Sequence, residues 1–246
     1  MMELILPRPA VFAEETPPEP SPDGIECPLC QNRGYTTYIN DEGELMTRTC
    51  SCMARRKSER RMKASGLGDL LARCTFATMR CPDEWSKQLK AAALRYAQDE
   101  QSPWFYVSGR PGTGKTHACT AICARLMKRG LAVRYLLWRE EIPVLKTLLN
   151  DDAAEYDRRF QALAAAPVLY IDDFLKGTVT AADKNLAFAL INARYNRAAC
   201  RTIFSSELPL SEVRRLDEAT GTRIWQRAKD YILNAPRDAK NWRADI

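Results

Sequence analysis

The stretch Trp104-Phe105-Tyr106-Val107-Ser108-Gly109-Arg110-Pro111-Gly112-Thr113-Gly114-Lys115-Thr116 decides the fold. Its first four residues predict a short buried strand. Gly109 to Thr116 satisfy the P-loop pattern, and Ala118, Ile122, Leu126 and Met127 then mark a helix. Glycines let the backbone approach phosphate oxygens, and the N-terminus of the following helix adds favourable partial charge. Gly109, Pro111, Gly112, Thr113 and Gly114 thus read as the cradle for ATP, with Lys115 reaching the terminal phosphates and the Thr116 hydroxyl binding Mg²⁺. His117, the single histidine, adjoins the loop and belongs with the nucleotide-contacting residues. It has no nearby acid–nucleophile partnership in sequence to give it a catalytic reading.

Toward the C-terminus, Val168-Leu169-Tyr170-Ile171-Asp172-Asp173 places two carboxylates at the end of another apolar strand, where open α/β sheets bind ligands. Asp172 is a candidate Mg²⁺ ligand, and Asp173 a candidate to orient or deprotonate the attacking water. Val133 to Leu137 and Thr202 to Phe204 are further strand candidates, with helical stretches between. Continuous apolar strands separated by helices predict an α/β fold: a parallel sheet covered on both faces.

Cysteines carry a second signal. Cys27-Pro28-Leu29-Cys30 and Cys50-Ser51-Cys52 flank an interval that reads as a hairpin, Tyr35 to Ile39, a turn at Asn40 to Gly43, then Leu45 to Thr49. A hairpin brings its ends together, so Cys27, Cys30, Cys50 and Cys52 can converge on one tetrahedral ion. Zn²⁺ is the natural occupant of four soft sulfur ligands; an iron–sulfur cluster and free thiols are the alternatives. Cys119 and Cys123, on the P-loop helix, read as core.

The chain has 246 residues, 46% hydrophobic and 28% charged, which excludes a wholly disordered chain. No apolar run approaches the ~20 residues of a membrane span, and the opening residues lack a secretory pattern, so a cytoplasmic protein with no membrane partner is expected. The net charge of +6 is unevenly spread: residues 1–47 are acidic, and residues 48–63 carry seven bases and one acid. The reading divides the chain into a disordered acidic, proline-rich tail (1–26), a zinc-binding lobe (27–52), a basic helical linker (53–68) and an ATPase domain (69–246). Trp138-Arg139, Lys146 and Arg158-Arg159-Phe160 mix bases and aromatics as single-strand binders do.

The P-loop, the Asp172-Asp173 strand end, the polar Ser205-Ser206 and Thr220-Gly221-Thr222-Arg223-Ile224-Trp225-Gln226-Arg227 together resemble an AAA+ ATPase. More narrowly, they resemble the replicative-helicase loaders of the DnaC/DnaI type, common in bacteria, bacteriophages and prophages. The resemblance spans residues 27 to 243 and implies a P-loop AAA+ sheet preceded by a small zinc-ribbon-like hairpin lobe. It implies that Ser206 senses the γ-phosphate, and that Gly221, Arg223 and Arg227 carry the arginine finger for a neighbour's site. Arg227 is the preferred finger and Arg223 the reserve; Arg243 would be a second nucleotide sensor. The implied partners are a replicative DNA helicase, single-stranded DNA and further copies of the chain, assembled on ATP and DNA. The alternative is a transposition helper ATPase of the IstB type. Two departures matter: the family usually has Glu where Asp173 stands and often Asn where Ser206 stands, so hydrolysis is expected to be slow.

Overall fold

Successive residues of Trp104 to Ser108 face opposite sides of a sheet, and packed helices cover both sides. The computed structural model describes residues 21, 23–64, 68–101, 103–242 and 244. They divide into two compact units between Lys57 and Ser58.

The larger unit holds five parallel strands, β3 (Trp104–Ser108), β4 (Val133–Leu137), β5 (Val168–Asp172), β6 (Arg201–Ser206) and β7 (Ile232–Asn234), in the order β4-β5-β6-β3-β7. Strand β3 lies between β6 and β7, with Ser108 level with Ser206 on one side and Asn234 on the other. Phe105 and Val107 point into a core with α3 (Glu84–Gln98) and α4 (Lys115–Lys128). Trp104 and Tyr106 point the other way, toward α5 (Trp138–Asp151), α6 (Ala153–Ala164), α7 (Ala181–Tyr195), α8 (Leu210–Leu216) and α9 (Glu218–Ala228). All five β3 residues are buried, as a strand enclosed on both faces requires. Capping fixes the helix starts: Asp83 closes a capping box with Ser86 on α3, and Thr180 with Asp183 on α7. Strand β7 has no counterpart in the sequence reading; three residues carry too little pattern.

The smaller unit contains the expected hairpin, β1 (Tyr35–Ile39) paired antiparallel with β2 (Leu45–Thr49), Tyr35 opposite Thr49 and Ile39 opposite Leu45. Asn40 holds the turn, its Oδ1 accepting the N–H groups of Glu42 and Glu44 at 3.1 and 2.8 Å. Helix α1 (Cys52–Met62) follows, and the division between units falls inside it. Residues 1–26 were expected to form a tail, but Ser21, Asp23 and Ile25 are bound into this unit. The buried Arg56 guanidinium donates to Ser21 Oγ and Asp23 Oδ1 at 2.5 Å and to the Ile25 carbonyl at 2.6 Å. A buried cation needs such acceptors, and Asp23 supplies the carboxylate among them. The expected tail residues 1–20 and 22 lie outside the described residues. Helix α2 (Gly68–Arg73) follows the undescribed residues 65–67.

Arg194 on α7 staples the covering helices to the sheet. Fully buried, it donates to Thr202 Oγ1 at 2.9 Å, to the carbonyls of Leu163, Ala164 and Ala166 at 2.8, 3.2 and 2.9 Å, and to that of Arg201 at 2.6 Å. Leu163 and Ala164 are terminal carbonyls of α6 that have no helical partner of their own. Burial lowers the Arg194 pKa to about 10, which leaves it cationic at neutral pH. Arg194→Met should lower unfolding free energy by about 3 kcal/mol, since buried carbonyls lose their donors. Urea denaturation of the full chain measures this. Arg194→Lys should recover only part of the loss, because an ammonium cannot span the acceptors as a planar fork does.

Candidate nucleotide and metal sites

The P-loop leaves the carboxyl end of β3 and runs into α4 through Gly114, whose φ is +89°. Gly109, at φ +144°, lies so close to the chain after β7 that a Cβ there would sit 2.4 Å from Ala235 Cβ. Only glycine fits this crossing. Lys115 is 7% exposed and folds back over the loop, donating to the carbonyls of Gly109 and Arg110 at 2.7 and 2.9 Å. Burial pulls its pKa below the usual lysine value, opposed by the nearby charges of Glu207, Asp173 and Asp172. The ammonium is thus held beneath the loop by weak neutral acceptors.

Pro111 to His117 form one wall of a cavity of about 380 Å³. The other walls are Thr78, Met79, Arg80 and Ser86, then Asp173, Lys176 and Glu207, and Trp242. Asp173, Lys115 and Thr116 therefore line one space. Asp172 lies beneath it, buried, accepting from the Ser205 hydroxyl and from Tyr135 Oη at 3.2 Å. Burial and this carboxylate push the Tyr135 pKa upward, so its hydroxyl remains a donor. Asp173 adopts φ +53° and gives its N–H to Asp172 Oδ1 at 3.2 Å, which turns its own carboxylate toward Lys176, 3.1 Å away. His117 lines the cavity, with Nε2 3.0 Å from the Thr75 carbonyl.

Ser206, expected at the γ-phosphate, is fully buried and outside the cavity wall; its hydroxyl donates to the Phe174 carbonyl at 2.8 Å and accepts from Leu208 N–H at 3.1 Å. Strand alternation and the end of β6 bring Glu207 to the cavity instead. Arg243 lies outside the described residues. In the basic and aromatic set, Trp138 is core, edge-on to Phe174 at 4.9 Å, and Lys146, Arg158 and Arg159 are each paired with acids. Missed altogether were Thr78 to Arg80 and Lys176. The first group is separated from the P-loop by some thirty residues, and Lys176 carries no motif; only its spacing after Asp173 pointed to it.

In the smaller unit the sulfurs of Cys27, Cys30, Cys50 and Cys52 all lie within 4.8 Å of one another, and all four residues are buried. Cys27 and Cys50 are 3.8 Å apart, and Cys30 and Cys52 3.6 Å. A tetrahedron with metal–sulfur bonds of about 2.3 Å has edges of about 3.8 Å, so these thiols fit Zn²⁺. Gly34 N–H donates to Cys30 Sγ at 3.4 Å, and Asn32 Oδ1 accepts from Cys27 N–H at 2.8 Å, fixing the first knuckle. Burial opposes ionisation of Cys27, but N–H donors of Cys30 and Leu29 outweigh it and bring the pKa to about 7. Cys52 is pushed to about 12 by burial and neighbouring sulfurs, which oppose a second thiolate beside the first. No disulfide joins any of the nine cysteines; Cys119 and Cys123 are buried in the core.

Comparison with known proteins now identifies the family. Residues 32–226 match the family of IstB-like ATP binding proteins. The chain belongs to that family. It is 30% identical over 234 residues to the phage-like element PBSX protein XkdC of Bacillus subtilis strain 168, covering 89% of this chain and 85% of that protein. It is 25% identical over 175 residues to the replicative helicase loader DnaC of Escherichia coli K12, covering 70% of each. The crystal structure of DnaI superposes with a TM-score of 0.56 at 18% identity, over 71% of this chain and 92% of that one. The fold is the AAA+ fold, as the motifs implied. Among the described residues, no helix is long and apolar enough to cross a membrane.

Within this family member, both candidate finger arginines lie on α9, away from the chain's own cavity. Arg227 donates to the Tyr195 carbonyl at 2.5 Å and lies over its ring, while Arg223 bonds Asn192 Oδ1 at 3.0 Å. The cradle itself yields a test. Gly109→Ala should weaken ATP binding by about tenfold or more, since the loop must move away from Ala235; circular dichroism should stay unchanged. Equal ATP affinity in isothermal titration would show that the loop tolerates the shift.

Proposed function

We propose that the chain is an Mg²⁺-dependent ATPase that loads a replicative helicase onto single-stranded DNA. The observation that carries the ATPase reading is the meeting of Lys115, Thr116 and Asp173 in one cavity. Thr116 and Asp172 would hold Mg²⁺, which when bound withdraws charge from the phosphates. Lys115 exchanges its loop carbonyls for phosphate oxygens, a stronger charge-assisted pairing. Asp173, carried at the rim by its backbone, accepts from the attacking water. Asp173→Asn should leave ATP affinity within about threefold and suppress turnover about a hundredfold or more, whereas Lys115→Ala should weaken binding itself. Phosphate release and nucleotide titration separate the two effects. Parental turnover in Asp173→Asn would remove the role given to Asp173.

Glu207, next to Ser206 at the end of β6, brings to the cavity a carboxylate that accepts from Lys176 at 2.8 Å. Arg227, with Arg223 in reserve, completes the site of a neighbouring copy, so ATPase activity should rise with chain concentration and with single-stranded DNA. Nucleotide-driven assembly would then bring DNA and helicase together.

The loader reading rests on DnaC being named a replicative helicase loader and on the four-cysteine lobe, which supplies a separate element for holding a partner. Cys27, Cys30, Cys50 and Cys52 hold Zn²⁺ in this reading. Purified protein should contain about one zinc per chain, and Cys50→Ser should release it while the cooperative melt of the ATPase unit persists. Metal analysis with calorimetry checks both; an iron–sulfur spectrum would replace zinc. Capture from host extract on full-length, ATP-loaded protein decides between partners. Recovery of a hexameric helicase supports loading, and recovery of a transposase moves the assignment to the IstB type of helper.

A further inference from the structure

Lys176 lies three residues beyond Asp173 and belongs to no motif. Its Nζ is 2.8 Å from Glu207 Oε1 and 3.1 Å from Asp173 Oδ2, and its side chain is 24% exposed. All three residues line the cavity that contains the P-loop. Lys115 and Thr116 of the P-loop line the same cavity as Asp173 and Glu207. The other groups around this space are His117 and Arg80, with Asp172 beneath.

The charge balance favours a further cation at this wall. ATP brings several negative charges, Mg²⁺ offsets two, Lys115 and Arg80 add cations elsewhere on the lining, and the remainder meets two carboxylates here. With Asp173 and Glu207 unopposed, the terminal phosphate would be repelled at short range in a partly buried site. Glu207 holds Lys176 on this wall, and the carboxylate contacts raise the lysine pKa, so it remains charged. We propose that Lys176 is a further nucleotide-binding residue, positioned by Glu207, that supplies the cation for the terminal phosphate and makes the site prefer triphosphate to diphosphate. This rests on the ATP-binding reading of the same cavity.

The test titrates full-length protein separately with Mg²⁺-ATP and Mg²⁺-ADP. The parent should bind both, ATP more tightly. Lys176→Met should weaken ATP by about tenfold and leave ADP within about twofold, since one charge-assisted contact to the terminal phosphate is lost. Lys176→Met with Glu207→Gln should recover part of the ATP affinity, because one repelling carboxylate has gone. Lys176→Arg should keep the ATP preference and serves as the folding control, with Lys176→Gln the second neutral variant if the methionine variant does not fold. Equal weakening of ATP and ADP, or an unchanged ratio in both neutral variants, would overturn the role of Lys176 while leaving nucleotide binding intact. A parent chain that binds neither nucleotide would overturn the underlying reading as well.

Discussion

A phosphate cradle built from backbone N–H groups works only if the strand beneath it is immobile, and most of the larger unit serves that constraint. Strand β3 is hydrogen-bonded on both edges and buried on both faces. Gly109 N–H bonds the Ser206 carbonyl at 3.2 Å, and Ala235 N–H bonds that of Ser108 at 2.8 Å, so the loop is anchored where it begins. Trp85 Nε1 donates to the Thr113 carbonyl at 3.0 Å and anchors its far half. The loop therefore needs little reordering when an anion arrives, and less binding energy is lost to ordering it.

Beneath the cavity lies a polar layer that is costly to bury: Asp172, Ser205, Tyr135 and Tyr170. Ser205 donates to Asp172, Tyr135 donates to the other oxygen of the same carboxylate, and the Tyr170 hydroxyl is 3.4 Å from Ser205 Oγ. Each hydroxyl satisfies a neighbour, which makes the layer tolerable in a core of low dielectric. The arrangement separates the two adjacent aspartates. Asp172 is fixed and enclosed, while the positive φ of Asp173 turns the next residue to the rim. Tandem acids at a strand end thus acquire different surroundings from backbone geometry alone.

What could be read from the sequence follows from the range of the interactions involved. The P-loop, the buried strands and the cysteine hairpin are local patterns, and each appears where its residues predict it. Ser206 was chosen from the resemblance, which points to a polar residue at the end of β6; the fold buries it, and one residue further the chain reaches the cavity at Glu207. Thr78 to Arg80 and Trp242 come from opposite ends of the unit and meet only through the fold. Arg56 read as one charge in a basic run. Its burial depends on Asp23, thirty-three residues earlier, in a segment whose proline-rich composition suggested a tail.

The two units solve the problem of stability by different means. The larger has two apolar clusters, one on each face of the sheet, and its polar sites are set into an already rigid frame. The smaller has an apolar cluster of four cysteines with Met53 packed against it, while its hairpin leaves Ile39, Leu45 and Met46 exposed. Apolar burial on that scale cannot offset the entropy of ordering the segment. The remaining cohesion comes from Arg56 binding the segment before Cys27 and from the convergence of four sulfurs. A cation bound there would contribute its binding energy directly to folding, so the ligand spacing determines whether this unit is structured at all.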